Sequence, residues 1–428
     1  MNTIDTLHSK FLGCSGVSTD TRKIEQDCLF IALKGDNFDA NTFASEALNK
    51  GAKYVLIDNP DYLIDERTLL VKDALATLQE LAKFHRTYLD IPIIALTGSN
   101  GKTTTKELIH AVLSKKYNTI ATIGNLNNHI GVPLTILRFT KKTEIGIVEM
   151  GANHQKEIEL LCNITQPNYG YITNFGKAHL EGFGGVEGVI KGKSEMYNYL
   201  IEKNKTAFVN LDDTIQNEKT KNLKRYTFST LLENADVYIK NVEANPMVKI
   251  KYNDTTITSH LIGIYNANNI NAAITIGTYF KISDEVIKKA IENYIPENNR
   301  SQLIQKNGNE IILDAYNANP SSMHAAITNF IQLDNRNKIA ILGDMFELGA
   351  ESQKEHKRIV ELVAQQLKIK TYFIGKYFYA NKTESNHISF FEDFNSFSNY
   401  FKDHKPSDSL LLIKGSRGMA LEKTLAII

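Results

Sequence analysis

The chain has 428 residues, enough for about three domains at ~150 residues each. Its 42% apolar and 23% charged residues exclude a disordered tail, and its apolar stretches, such as 91–96 and 410–413, fall far short of the ~20 residues of a membrane helix. Lys plus Arg at 49 against Asp plus Glu at 48 leaves a net charge of +1, which argues against a polybasic nucleic-acid binder but allows a local basic cleft.

The opening Met1-Asn2-Thr3-Ile4-Asp5 has no basic segment followed by an apolar run, so no signal peptide is expected. The cysteines, Cys14, Cys28 and Cys162, form no CxxC pair, which points to a reduced compartment without a disulfide or zinc framework. A soluble, cytoplasmic, multidomain protein is expected, with no partner among nucleic acids or membranes and a monomer as the default.

Short apolar strands at 28–33 and 54–57 flank a helical stretch at 43–50 that ends at Gly51. Residues 73–88 read as a helix, broken at Asp90-Ile91-Pro92. A buried-type strand at 93–96, a glycine turn and a helix at 103–115 then open a strand–helix alternation, with further strands at 145–150 and 169–173. That is the βαβ pattern of a parallel sheet. Residues 225–262, richer in Thr, Tyr and Val, read as an antiparallel addition, followed by helices at 266–280 and 284–293 and a linker at 296–299. Strands at 311–314, 338–342, 371–374 and 409–413 make a second doubly wound unit. The fold class is therefore α/β in three domains: a small mixed α/β domain at 1–88, a P-loop ATPase-like parallel-sheet domain at 89–297 and a Rossmann-like domain at 298–428.

The most informative segment is Thr97-Gly98-Ser99-Asn100-Gly101-Lys102-Thr103-Thr104. Glycines let backbone N–H groups approach a phosphate, and a helix N-terminus adds the positive end of its dipole. Lys102 offers charge to the β/γ-phosphates and the Thr103 hydroxyl suits Mg²⁺. Two residues rather than four separate the glycines, yet a strand before and a helix after favour a nucleotide site over an ordinary joint with a surface lysine.

Glu149 ends a buried strand, the end that faces the ligand crevice of a parallel sheet, where a carboxylate can hold Mg²⁺ or cap a helix. His179 lies in the loop after the next strand. At 100° per residue Val186, Val189, Ile190, Met196 and Tyr197 form one apolar stripe that contains Lys193 and excludes Lys191. A lysine on a buried face either snorkels to a carboxylate or serves chemistry as a neutral amine, because burial lowers its pKa. Asn266 and Asn269 open a helix, and an Asn amide can either cap it or pair with an adenine edge.

The loop T-G-S-N-G-K-T-T resembles that of the Mur ligases and the related folylpolyglutamate synthases, which join a carboxylate to an amine with ATP through an acyl phosphate. The resemblance spans nearly the whole chain and implies two Mg²⁺ ions with ligands Thr103, Glu149 (Glu149-Met150-Gly151-Ala152-Asn153), His179 (Thr173-Asn174 to His179-Leu180) and a carbamylated Lys193. It implies ATP contacts from Gly98, Asn100, Gly101, Lys102, Thr103, Thr104, Asn269, Arg300, Asp314 and Asn317, with Lys102, Lys193, His179 and Arg300 catalytic. Substrate contacts are implied for Ser18, Asp20 and Arg22, for Asn127 and Asn128, and for Lys414, Ser416 and Arg417. Asp39-Ala40-Asn41-Thr42-Phe43 stands where the family has D-G-H-x-F, and Tyr265 replaces its usual His.

Asp314-Ala315-Tyr316-Asn317-Ala318-Asn319-Pro320 and Gly343-Asp344-Met345-Phe346-Glu347-Leu348-Gly349 resemble the branch that adds D-alanyl-D-alanine to UDP-N-acetylmuramoyl-tripeptide. The implied domain roles are muramoyl-peptide binding at 1–88 and ATP binding at 89–297, with closure of 298–428 bringing Arg300 and Asp314 onto ATP. The alternatives are a ligase adding one amino acid to a muramoyl nucleotide or to folate, and a silent nucleotide-binding homologue. Diaminopimelate and lysine stand equal as the third residue of the tripeptide.

Overall fold

The computed structural model describes residues 3–334 and 337–428, so Met1 and Asn2 of the opening segment lie outside the described residues. Among the described residues three main sheets follow one another along the chain, each interleaved with helices, and a two-stranded ribbon pairs Lys34–Gly35 with Phe38–Asp39. The first has four parallel strands in the order Val17–Ser18, Leu29–Ile31, Tyr54–Ile57 and Thr68–Leu70. Strand alternation sends Leu29 and Ile31 to one face, into a core with Leu7, Phe11, Leu78 and Leu81 of helices Ile4–Leu12 and Ala74–Leu89. Phe30 goes to the other face, with Ala44, Ala47 and Leu48 of helix Ala44–Asn49. Asp73 caps helix Ala74–Leu89 through Ala76 N, and the helix stops at left-handed Asp90, where the sequence marks a break. Its Arg86 donates to Thr165 O, Gln166 O and Asn168 Oδ1, tying the first sheet to the second.

The second sheet has nine strands in the order Thr255–Ile262, Met247–Tyr252, Val237–Ala244, Lys224–Ser229, Thr206–Asn210, Tyr169–Ile172, Ile93–Thr97, Ile145–Glu149 and Thr119–Ala121. The expectation of an antiparallel addition over 225–262 holds only in part. Lys224–Ser229 runs parallel to Thr206–Asn210, Val237–Ala244 enters parallel to it, and antiparallel pairing begins with Met247–Tyr252. The reason lies at 230–236. Asp212 accepts from Thr230 N and Oγ1, and Asp236 accepts from Thr227 N and Oγ1, so the link folds back on the sheet instead of turning as a hairpin.

The third sheet has six strands in the order Gln302–Lys306, Asn309–Asp314, Leu410–Lys414, Lys338–Gly343, Ile369–Ile374 and Ile388–Phe391. All pairs are parallel except the first, a hairpin turning at Asn307-Gly308. Gln302–Lys306 and Ile388–Phe391 are absent from the strands read off the sequence. Both lie at sheet edges with half-buried residues, so neither carries the continuous apolar run that marks the central strands. Among the described residues no helix is long and apolar enough to cross a membrane.

Candidate active site

Strand Ile93–Thr97, buried throughout, delivers the chain to the loop 98–101, and helix Lys102–Leu113 leaves it. The loop fits because it is glycine at both ends. Gly98 has φ +144°, and a Cβ there would lie 1.9 Å from Thr173 Oγ1. Gly101 has φ +79°, and a Cβ would lie 2.4 Å from Asn269 Oδ1. The next strand's end holds the loop in shape: Ser99 N donates to Asn174 O at 3.0 Å, Asn100 N to Asn174 Oδ1 at 3.2 Å, and Thr173 Oγ1 to Asn100 O at 2.6 Å. Lys102 Nζ folds back over the loop, donating to Gly98 O at 2.7 Å. Burial pushes this ammonium below its ordinary pKa; Glu149 opposes the shift and Arg300 adds to it.

A cavity of about 910 Å³ opens in front of this loop, walled by the second and third sheets. The second sheet contributes Asn100, Gly101, Lys102, Thr103, Thr104, Asn127, Asn128, Glu149, His179 and Asn269; the third contributes Arg300, Asp314, Asn317 and Lys414. Helix Pro320–Gln332 also opens on the cavity through Ser321 and Ser322, and its N-cap Asn319 donates to Asn100 Oδ1 at 2.7 Å. The cavity therefore receives two helix N-termini, one from each sheet, which favours an anion.

Glu149 is almost fully buried. Its Oε1 accepts from Thr103 Oγ1 at 3.2 Å and Asn127 Nδ2 at 2.9 Å, whereas among the described residues its Oε2 has no hydrogen-bond donor and meets Lys106 Nζ at 3.8 Å. A buried carboxylate oxygen without a donor, beside a threonine hydroxyl and a phosphate-type loop, fits a hard cation that takes its other ligands from phosphate and water. Among the described residues no three His, Cys, Asp or Glu side chains gather into an all-protein metal cage.

His179 has a left-handed backbone, φ +53°, and its Nδ1 meets Glu347 Oε2 of the third sheet, whose carboxyl is held below its ordinary pKa by the imidazole. Lys193 lies on the buried face of helix Val186–Glu202 with its ammonium 5.2 Å from the Phe183 ring centroid, and Lys191 is exposed, as helix phase requires. Burial, and then Lys102, push its amine well below the ordinary value. Neither Lys193 nor Gly98 lines the cavity. Val186 departs from the expected stripe and is 39% exposed, because it is the first helical residue, led in by Gly184-Gly185 outside the packed face.

Asn269 spends its amide on neighbours, accepting from Thr105 Oγ1 at 3.0 Å and donating to Asn266 Oδ1 at 2.8 Å. The Arg300 guanidinium stacks 3.7 Å from the Tyr316 ring centroid, and its buried Nε has no acceptor among the described residues. Asp314 Oδ2 pairs with Lys414 Nζ at 2.6 Å, and Asn317 O accepts from the same ammonium at 3.2 Å. Ser416 is buried off the cavity, accepting from Phe346 N at 3.0 Å, and Arg417 pairs with Glu422 at 2.9 Å.

Ser18, Asp20 and Arg22 lie in the first sheet and its following turn and do not line the cavity. Arg22 there makes a two-pronged pair with Asp20 at 2.9 and 2.8 Å. Asn41, where the resemblance expects His, is fully buried and bonded to Asp39 and to both the carboxylate and N–H of Asp58. Residues around the site without a role in the sequence analysis include Ser321, Ser322, Lys106, Tyr316, Asn319 and Glu347. The last three stand inside motifs quoted there, which was the available signal.

Three family models match in chain order: "Mur ligase family, catalytic domain" at 14–86, "Mur ligase middle domain" at 96–277 and "Mur ligase, glutamate ligase domain" at 299–417. The UDP-N-acetylmuramoyl-tripeptide--D-alanyl-D-alanine ligase of Bacillus subtilis is 36% identical over 95% of this chain and 92% of its own. The enzyme of that name from Escherichia coli is 35% identical over 96% and 92%. Among solved structures, MurF from Acinetobacter baumannii superposes with a TM-score of 0.87 at 31% identity, covering 99% of this chain and 97% of its own. The MurF ligase from Thermotoga maritima in complex with ADP superposes at 0.84 with 26% identity, covering 97% of each.

Proposed function

The chain belongs to the Mur ligase family, and from that premise we propose that it is an ATP-dependent carboxylate–amine ligase that adds D-alanyl-D-alanine to UDP-N-acetylmuramoyl-tripeptide, yielding the pentapeptide precursor of peptidoglycan. The observation that carries the reading is a single cavity in which Lys102, Thr103 and Glu149 of one sheet face Arg300 and Asn317 of another.

In this reading a terminal carboxylate oxygen of the tripeptide attacks the γ-phosphorus of ATP, and the bond to ADP breaks. The acyl phosphate is then attacked by the dipeptide amine, which loses a proton as phosphate departs and the amide forms. Lys102 and the two helix N-termini neutralise the β- and γ-phosphate oxygens, and Arg300, held flat on Tyr316, approaches from the third sheet. Asn269, its amide spent on Thr105 and Asn266, would back the phosphate loop at Gly101 rather than pair with adenine, and Asp314 and Asn317 would meet the remaining nucleotide edge. No nucleophilic side chain is needed.

Two Mg²⁺ ions, when bound, supply Lewis-acid charge to the phosphoryl oxygens. Thr103 and Glu149 would hold one; His179 and a carbamylated Lys193 would hold the other. An amine kept neutral by burial is the form that adds CO₂ to give a carbamate and a proton. Residues 1–88 would take the UDP end through Ser18, Asp20 and Arg22, while Asn127 and Asn128 meet the muramoyl-peptide and the segment at Lys414, Ser416 and Arg417 the dipeptide end. The substrates place the reaction in the cytoplasm, with one chain supplying the whole site.

The test is phosphate release from purified protein with ATP, Mg²⁺ and UDP-N-acetylmuramoyl-tripeptide of either type, with and without D-alanyl-D-alanine. Release that needs both substrates, with pentapeptide seen by mass spectrometry, is expected. ATP binding without release under any of these conditions would favour the silent homologue.

A further inference from the structure

Resting on the reading of His179 as a metal ligand, we propose that Glu347 is a positioning residue that reaches across from the third sheet and holds the His179 imidazole by Nδ1, leaving Nε2 for the cavity. Glu347 lies in the segment 343–349 that follows strand Lys338–Gly343. Residues 344–346 of that segment are pinned to their own sheet. Buried Asp344 accepts from Tyr377 N at 3.0 Å and Phe378 N at 2.9 Å, His356 Nε2 accepts from Met345 N at 3.0 Å, and Ser416 Oγ accepts from Phe346 N. Glu347 follows them with its side chain turned out of the sheet, 54% exposed and directed at His179.

The two backbones are seated for this contact. Glu347 O accepts from Glu181 N at 3.3 Å, and Gly349 lies against the Glu181 side chain. His179 and Glu347 both have left-handed φ, +53° and +61°, a conformation that costs non-glycine residues energy and persists where the surroundings over-determine it. An imidazole whose Nδ1–H is donated to a carboxylate keeps its lone pair on Nε2. A ligand histidine oriented by such a partner is a recurring arrangement. Here the orienting group comes from a different sheet, so the second cation position is complete only when the two sheets meet.

The competing account is a plain interface contact, like Lys177 Nζ to Glu355 at 2.7 Å in the same seam. Mn²⁺ affinity of the protein–ADP complex, read by electron paramagnetic resonance without turnover, separates the two. Glu347→Ala is expected to weaken the second Mn²⁺ by about 10–100-fold and to raise the Mg²⁺ needed for half-maximal rate. The double variant with His179→Ala should be no weaker than His179→Ala alone, and Glu347→Gln, which keeps an acceptor, should recover part of the loss. Glu355→Ala should stay within about twofold of wild type. Unchanged Mn²⁺ binding in Glu347→Ala, or an equal loss in Glu355→Ala, overturns the proposal. Unchanged binding in His179→Ala overturns the ligand assignment beneath it, and the ligase reading is then judged separately by substrate-dependent phosphate release.

Discussion

Asp314 and Lys414 stand opposite each other in register on adjacent parallel strands, and their side chains close the pairing with Oδ2 2.6 Å from Nζ. One hundred residues apart in sequence, they fasten the nucleotide motif to the Lys414-Gly415-Ser416-Arg417 segment. The Lys414 side chain is 1% exposed and that of Asp314 16%, so neither charge is hydrated enough to stand alone.

Removing one partner should therefore cost more than removing both. Lys414→Met is expected to lower unfolding stability by about 1–3 kcal/mol, because it leaves a largely buried carboxylate at the cavity wall without its partner. Asp314→Asn with Lys414→Met should cost clearly less. Urea unfolding of the single and double variants checks this, and equal losses would contradict it.

Lys102→Ala should leave the fold intact and reduce turnover by at least about 10²–10³-fold, the scale of losing a charge aimed at a transferring phosphoryl group. Among the described residues its ammonium bonds to carbonyls of its own loop alone, so the thermal midpoint should barely move. Retained activity would contradict the phosphate-loop assignment.

Lys193→Met should separate stability from function. The folded chain holds this amine well below its ordinary pKa. A lysine with a depressed pKa costs stability wherever the unfolded chain is protonated, so at pH 7 the uncarbamylated wild type carries a penalty that methionine removes. A gain of about 1–3 kcal/mol with loss of ligase activity is expected from calorimetry and phosphate release. A less stable variant would show that the amine is satisfied in the native state.

The buried His8–His85 pair sets an acid limit. His85 Nε2 lies 2.9 Å from Phe139 O and its Nδ1 3.0 Å from His8 Nε2, an arrangement of two neutral rings, and burial lowers both pKa values, with mutual repulsion adding to the shift at His8. Unfolding raises both toward 6.5, so the unfolded state binds more protons below that pH. Stability present above pH 6.5 should fall as the pH drops through the folded values, and His8→Phe should flatten that slope. Urea midpoints between pH 5 and 8 read it directly.

What was legible in the sequence was local. The loop 98–101 could be read because glycine spacing and helix start lie within a few residues, and Lys193 because helix phase puts it opposite Lys191. Long-range partners left no such mark. Neither the Glu347 contact with His179 nor the Asp314 pairing with Lys414 has a period or spacing, only a sheet register or an interface that appears when the chain closes. The hairpin at Asn307-Gly308 did have a signal, since that dipeptide is a strong turn former. The strand leading into it, Gln302–Lys306, hides that signal, since it lies beside the linker and is only half-buried.

The two helices that open on the cavity belong to different sheets, and Asn319 at the head of one touches Asn100 in the loop before the other. Each helix start carries roughly half a positive charge. With nothing between them the two ends repel, and a polyphosphate turns that repulsion into a shared attraction. Nucleotide would then act as mortar between the two halves, and ADP alone should make the molecule measurably more compact in solution scattering, before any peptide arrives.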